Sequence, residues 1–474
     1  MQTTDVSLKH ADPLVGRPAI AVINPASGAR IGEVPNLGAG EMRAAIEAAR
    51  LALPAWRARL PRERGDLLMA WRALILENLE PLARRMTMEQ GKPIADARGE
   101  IEYAAEFVRW YAEEASRLYG EVIPSHLPDR KMMVQREPIG VVGLVTPWNF
   151  PSAMLTRKAA AALAVGCTAV AVPSLETPFS ALALADLAEQ AGFPPGVFSV
   201  LTGEPEELVG ELCRNPTVRA LSFTGSTRVG RLLAAQCAPS LKRVSLELGG
   251  HAPFIVFPDA DVQGAARAAV AAKFQTSGQD CLAANRIFAH ESVYADFVRA
   301  FADGAAALKV GDGLDPETDI GPLINRATFD KAADHVTDAL AKGAKLVTGG
   351  APSRPGDLLF PPTVLVDVTA NMTIMHEETF GPVAPILRFS DETEVVRAAN
   401  DTEYGLVAYV YTRDLSRAHR LSDALEYGMV AINTVKLTGA PIPFGGVKQS
   451  GLGREGSRHG VDEYTELKYV CIGL

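Results

Sequence analysis

Between residues 40 and 118 the apolar positions recur every three to four residues, whereas from residue 138 they form short β-branched runs separated by helical stretches. The first pattern predicts helices over 41–53, 61–77, 79–90 and 94–118, punctuated by Pro54, Pro81 and Gly91. The second predicts strands at 141–146, 168–172, 197–201, 220–223 and 244–248. Helices fall between them at 154–165, 178–191, 205–213 and 227–237. Strand–helix alternation with short connections implies a parallel sheet covered by helices on both faces. A second α/β stretch opens at residues 253–257 and runs to about residue 434. The segment 118–138 is polar, alternating and rich in proline, a hairpin that leaves the main body. A terminal strand pattern over 463–470 is its expected partner.

At 474 residues the chain is too long for one ordinary core, so two or three domains are expected. Its 47% apolar and 22% charged residues are those of a globular protein. A net charge of −9 without long runs of one sign argues against a nucleic-acid surface. No apolar stretch approaches the ~20 residues needed to span a bilayer. The start, Met1 to Asp5, lacks a basic segment followed by an apolar one, so no signal peptide is expected. Five cysteines lie far apart with no Cys-x-x-Cys, which fits free thiols in a reducing compartment and not a disulfide or zinc site. These readings together place the protein in the cytoplasm.

Two segments carry the chemistry. Leu246-Glu247-Leu248-Gly249-Gly250 offers a carboxylate at a strand end, and Cys281, 34 residues beyond Glu247, closes Ser277-Gly278-Gln279-Asp280-Cys281. Capture of a carbonyl on sulfur followed by release with water needs such a nucleophile and such a base. Cys281 could equally be a packing residue, and Glu247 a solvated strand-end acid. Thr224-Gly225-Ser226-Thr227-Arg228-Val229-Gly230 follows a strand and opens a helix, a place where N–H groups suit a pyrophosphate. Its G-x-x-x-x-G spacing is neither the G-x-G-x-x-G fingerprint nor a P-loop. Thr146-Pro147-Trp148-Asn149-Phe150-Pro151 sits at another strand end. The Asn149 amide there is either an oxyanion donor or part of a helix start.

Taken in order, Trp148-Asn149, Gly225-Ser226, Glu247-Leu248-Gly249-Gly250, Gly278-Gln279-x-Cys281, Glu377-Glu378-Thr379-Phe380-Gly381-Pro382 and Pro443-Phe444-Gly445-Gly446 resemble the aldehyde dehydrogenase superfamily over nearly the whole chain. Within it the chain looks closest to bacterial succinate-semialdehyde dehydrogenases, through Met154–Lys158, 178–185 and 449–457. The resemblance implies an α/β fold with a Rossmann-type cofactor domain (1–117 and 139–248), a catalytic domain (249–440) and a small β bridging element (118–138 and 455–474). That last element implies a homo-oligomer, a dimer or a dimer of dimers. It further implies oxidation of a small aldehyde, such as succinate semialdehyde, through a Cys281 thiohemiacetal and thioester. Asn149 would hold the oxyanion, Glu247 would activate water, and Lys158 would tune both thiol and base. NAD or NADP would be held by Thr146, Pro147, Trp148, Val172, Pro173, Ser174, Leu175, Gly225, Ser226, Gly230, Leu248, Glu378 and Phe380. Arg157, Gln275 and Thr438 would face the substrate, and no metal is implied.

The chain departs from the resembled pattern at both ends of the site. Val172 and Leu175 stand where relatives carry a lysine and a Glu or Ser that grip the adenosine ribose or its 2′-phosphate. Each such contact is worth ~1.5–3 kcal/mol. Weaker adenosine binding is expected, with no strong NADP preference and a lean to NAD; Glu176 would serve only if its loop shifted. Gln275 replaces a second substrate arginine, which loosens the succinate-semialdehyde assignment, although Lys436 could restore the charge. Ala283 occupies the place of a second cysteine that can form a regulatory disulfide in some relatives, so that switch is absent. A dehydrogenase for an aromatic, aliphatic or sulfonated aldehyde, or a binding protein of low activity on the same scaffold, remain the alternatives.

Overall fold

The computed structural model describes residues 18–350 and 356–474, so the signal-peptide reading of Met1 to Asp5 lies outside it. A short antiparallel pair, Ala19–Ile23 with Arg30–Pro35, precedes the helices and was not anticipated from the sequence pattern. Four helices follow at Ala39–Ala58, Pro61–Glu77, Leu79–Gln90 and Ile94–Glu114. The first runs through Pro54 instead of ending before it. Proline inside a helix removes a hydrogen bond and costs ~3 kcal/mol. Burial of Trp56 just beyond, with its Nε1 donating to the Leu163 carbonyl at 3.2 Å, offsets that cost.

The expected parallel sheet is present with six strands. Its spatial order is Gly451–Leu452, Arg243–Glu247, Val218–Thr224, Val141–Val145, Thr168–Val172 and Phe198–Val200. All neighbours are parallel except Gly451–Leu452, which returns from the far end of the chain and sets Gly451 opposite Glu247. The strand order reverses between Val141–Val145 and Val218–Thr224, and the crevice beyond strand ends at such a switch point is where α/β sheets bind ligands. Every residue of the helix Pro151–Val165 is buried, so it packs as a core element between the sheet and the N-terminal helices.

A seven-stranded sheet builds the second half in the order Lys345–Thr348, Thr363–Val366, Val383–Phe389, Ala284–His290, Ala252–Val256, Val407–Tyr411 and Met429–Ile432. Only Lys345–Thr348 is antiparallel to its neighbour. The loops entering Ala252–Val256 and Ala284–His290 carry Gly249-Gly250 and Cys281, and both face the ligand edge of the first sheet. Outside the body, Arg130–Pro138 pairs along nine residues with Thr465–Gly473 and on its other side with Glu121–Ile123, as the hairpin pattern implied.

Candidate active site

The helix Val262–Phe274 ends just before the nucleophile loop, which is wound tightly. Thr276, Ser277 and Gly278 all take left-handed backbone angles, with φ of 48°, 60° and 73°. A Cβ on Gly278 would lie 2.4 Å from the Gly381 carbonyl oxygen, so only glycine fits. Ser277 Oγ donates to the Gly321 carbonyl at 2.9 Å, and Gln279 Oε1 accepts from the Ile324 N–H at 2.9 Å. Ser277, one of the two strained residues, and its neighbour Gln279 are thus pinned by polar contacts, as happens where a site needs a fixed geometry. Cys281 at the end of this loop is half-buried, the remaining cysteines being buried or, for Cys471, exposed on the terminal strand. Burial, then the neighbouring Asp280 and Glu378, push its thiol well above the usual range, so the resting sulfur holds its proton.

Asn149 is buried and its Nδ2 donates to the Gln279 carbonyl at 3.1 Å, which sets the amide against the nucleophile loop. The position is enforced from behind by a buried ion pair that the sequence reading missed. Lys92 Nζ lies 2.5 Å from Glu100 Oε2 and donates to the Asn149 carbonyl at 2.7 Å. Glu100 Oε1 in turn accepts from the Ser152 and Ala153 N–H groups at 2.8 and 3.1 Å, capping the helix Pro151–Val165.

Glu247 closes its strand with both carboxylate oxygens buried and without a hydrogen-bond partner. Burial, and then the charge of Glu455, hold its carboxyl well above the usual range, while Arg157 and Lys158 oppose this. Lys158 therefore does not sit on the thiol. Its Nζ pairs with Glu455 and donates to Ser222 Oγ at 3.1 Å, so it acts on Glu247 through charge. Arg157 Nε lies 2.7 Å from the other Glu455 oxygen, and its guanidinium stacks 4.2 Å over the Phe444 ring. Glu455, absent from the set of expected site residues, is the hub of this cluster. Lys158 and Arg157 hold its carboxyl below the usual range against the effect of burial.

A cavity of about 1000 Å³ runs from the start of the helix Thr227–Cys237 to the loop 435–438. Cys281, Asn149 and Glu247 share its wall. At one end lie Gly225 and Ser226; Ser226 Oγ caps Val229, leaving the Thr227 and Arg228 N–H groups open at the helix start. A Cβ on Gly230 would strike Leu248 at 2.4 Å, so that glycine lets the helix settle on the strand end. Pro147, Trp148 and Leu248 line the middle, where Trp148 meets the Phe380 ring edge-on at 5.4 Å. Glu378 Oε1 accepts from the Gly250 N–H at 2.9 Å, and burial raises its carboxyl to about 7. Behind it Lys273 Nζ donates to Asn285 Oδ1 at 2.7 Å, and Asn285 Nδ2 reaches the Gly250 carbonyl at 3.3 Å, a second support not anticipated. An open helix start, an aromatic pair and a carboxylate in one trough suit the phosphates, ring and ribose of a dinucleotide.

Thr146, Val172, Pro173, Ser174 and Leu175 are not on the wall of this cavity. Val172 buries its side chain in the apolar layer of the sheet, and its carbonyl accepts from the Thr146 N–H at 3.2 Å. Glu176 cannot swing freely toward a ribose, because its Oε1 accepts from Asn325 Nδ2 at 2.8 Å. At the far end of the cavity lie Arg157, whose Nη1 is buried without a hydrogen-bond partner, and the more exposed Gln275, Lys436 and Thr438.

The profile of the aldehyde dehydrogenase family matches residues 15–470. The chain is 55% identical to the succinate-semialdehyde dehydrogenase [NADP(+)] GabD of Escherichia coli (strain K12), over 96% of this chain and 95% of that one. It is 57% identical to the non-phosphorylating aspartate-semialdehyde dehydrogenase of Halomonas elongata, over 96% and 92%. The crystal structure of an aldehyde dehydrogenase from Brucella melitensis biovar abortus superposes with a TM-score of 0.97 at 50% identity, covering 100% of this chain and 99% of that one. The chain is an NAD(P)-dependent oxidoreductase and belongs to the aldehyde dehydrogenase family.

Proposed function

We propose that the protein oxidises a small aldehyde bearing a distal carboxylate to the corresponding acid, with Cys281 as nucleophile and Glu247 as base. The observation that carries this is the convergence of Cys281, Asn149 and Glu247 on one cavity whose far end holds the unpartnered Arg157 Nη1. Cys281 gives up its proton to solvent, and the thiolate attacks the aldehyde carbon. The resulting oxyanion is held by the Asn149 amide and the Cys281 N–H, which has no backbone acceptor among the described residues. When bound, the nicotinamide dinucleotide supplies the hydride acceptor. Glu247 then takes a proton from water, which adds to the thioester and expels the Cys281 sulfur as thiolate. The water oxygen becomes the second oxygen of the acid. Glu455 and Lys158 set the charge that Glu247 feels, while Arg157, with the Tyr103 hydroxyl beside it, offers its guanidinium to the carboxylate.

The relatives named above act on semialdehydes, which supports a carboxylated substrate. The lean to NAD rests on Val172 and Leu175 alone, and the Escherichia coli relative is named for NADP. The division 1–117 with 139–248, 249–440, and 118–138 with 455–474 follows the two sheets and the outer three-stranded sheet. We read that outer sheet as bridging subunits of a homo-oligomer. Among the described residues no helix is long and apolar enough to cross a membrane; a cytoplasmic location belongs to the same proposal. The test is reduction of NAD and NADP, followed side by side, with succinate semialdehyde and with an uncharged aldehyde of equal length. Succinate semialdehyde should be favoured by about tenfold or more in kcat/KM. Equal values for both aldehydes would refute the carboxylate reading.

A further inference from the structure

We infer that the preferred substrate carries an ammonium group between its aldehyde and its carboxylate, and that Asp280 receives it while Arg157 takes the carboxylate. This rests on the carboxylated-aldehyde reading above and narrows it to the semialdehyde of an amino acid.

Asp280 immediately precedes the nucleophile, is 8% exposed, and lines the cavity beside Cys281, Tyr103 and Tyr409. Its Oδ1 accepts from the Leu282 N–H at 2.9 Å, yet among the described residues no cationic side chain lies within ion-pair distance of it. Asp96 lines the same wall and accepts from the Thr276 N–H at 3.3 Å, again with no cationic partner. The nearest ammonium, that of Lys92, is already committed to Glu100 and the Asn149 carbonyl. Burial drives both carboxyls upward against the opposing charge of Lys92; Asp96 adds to the rise at Asp280, and Asp319 to that at Asp96. A desolvated carboxylate is costly until a cation meets it. The groups on the opposite side are of the other sign: Arg157 with its free Nη1, and Lys436 at the mouth. Gln275, neutral, adds no second cation there.

A wall negative beside the nucleophile and positive at the far end fits a zwitterionic chain. A substrate with only a carboxylate would leave Asp280 unmatched. The arrangement also bears on the nucleophile. Asp280 is, after burial, the main reason the resting thiol keeps its proton. An ammonium placed against Asp280 cancels that charge, so binding of the proper substrate lowers the thiol's pKa and its proton passes to solvent, leaving the thiolate.

Aspartate semialdehyde and succinate semialdehyde form a matched pair, equal in length and differing only in the amino group. With the cofactor-saturated enzyme, kcat/KM should favour aspartate semialdehyde by about tenfold or more, the worth of one charged hydrogen bond. Asp280→Asn, which keeps the acceptor for Leu282 N–H but removes the charge, should lower that ratio by a similar factor. Equal or better use of succinate semialdehyde by the unmodified enzyme, or a ratio unmoved by Asp280→Asn, would overturn the inference while leaving the carboxylate reading intact. Turnover of neither, with uncharged aldehydes accepted, would remove the parent reading as well. Should the variant fold poorly, product inhibition of the unmodified enzyme decides: L-aspartate should inhibit more strongly than succinate, and equal inhibition overturns the proposal.

Discussion

Replacing Lys92 by methionine tests whether the nucleophile's surroundings are held by charge. Lys92 is 0% and Glu100 1% exposed, with 2.5 Å between Nζ and Oε2. Methionine fills the space of the lysine stem but leaves the Glu100 carboxylate buried and alone. Breaking one side of a buried pair costs ~3–5 kcal/mol, mostly because the remaining charge is stranded. The double variant Lys92→Met/Glu100→Gln strands nothing, and glutamine still offers an oxygen to the Ser152 and Ala153 N–H groups. It should therefore be more stable than the single variant despite carrying one more substitution. Urea unfolding at a fixed protein concentration, reading the midpoint at constant m, gives the order wild type, double variant, single variant. Lys92 Nζ also holds the Asn149 carbonyl at 2.7 Å, so both variants should lose on the order of 10- to 100-fold in kcat as the amide drifts. A Lys92→Met protein within ~1 kcal/mol of wild type, or a double variant weaker than the single one, would refute the reasoning.

Because burial, Asp280 and Glu378 raise the Cys281 thiol, its thiolate fraction falls about tenfold for each pH unit below that raised pKa. Alkylation of the cofactor-free enzyme by iodoacetamide should thus keep accelerating above pH ~8.5, where an ordinary thiol levels off, and a plateau at or below that pH would contradict the assignment. Glu247→Gln should still give a burst of reduced cofactor and then stall, with steady turnover down ~10²–10⁴-fold; a missing burst would show that Glu247 serves the first half-reaction instead. Gly278→Ala, at φ 73° and 2.4 Å from the Gly381 oxygen, should lower the melting temperature and abolish most activity. A variant as stable as wild type would mean that the loop has room to relax.

Local cues made much of this site readable. Cys281 lies in a loop whose glycine is forced by a close backbone approach, and Glu247 and Asn149 sit at strand ends, where parallel sheets place ligands. The strand–helix rhythm gave the first sheet nearly residue by residue because each element's period is written in its own side chains. What escaped was non-local. Lys92 serves a carbonyl 57 positions on, and Lys158 finds Glu455 across 297 residues. No spacing rule reveals such pairs. Pro54 misled for a related reason: the tertiary burial of Trp56 overrides a local breaker. Val172, which the resemblance sets at the adenosine end, lies off the cavity wall and packs its side chain into the apolar layer of the sheet.

The return of Gly451–Leu452 to pair with Arg243–Glu247 has a consequence for the order in which the protein matures on the ribosome. Ser450 takes the Leu248 N–H at 2.9 Å, and Glu455 completes the charge around the base. Cys281, Asn149 and Glu247 are thus all synthesised well before the segment that sets the Glu247 carboxylate's register and ionisation. On the proposed roles, a nascent chain stopped short of residue 455 would carry its nucleophile without a tuned base, and hydrolytic competence arrives only when that late segment pairs onto the edge of the first sheet.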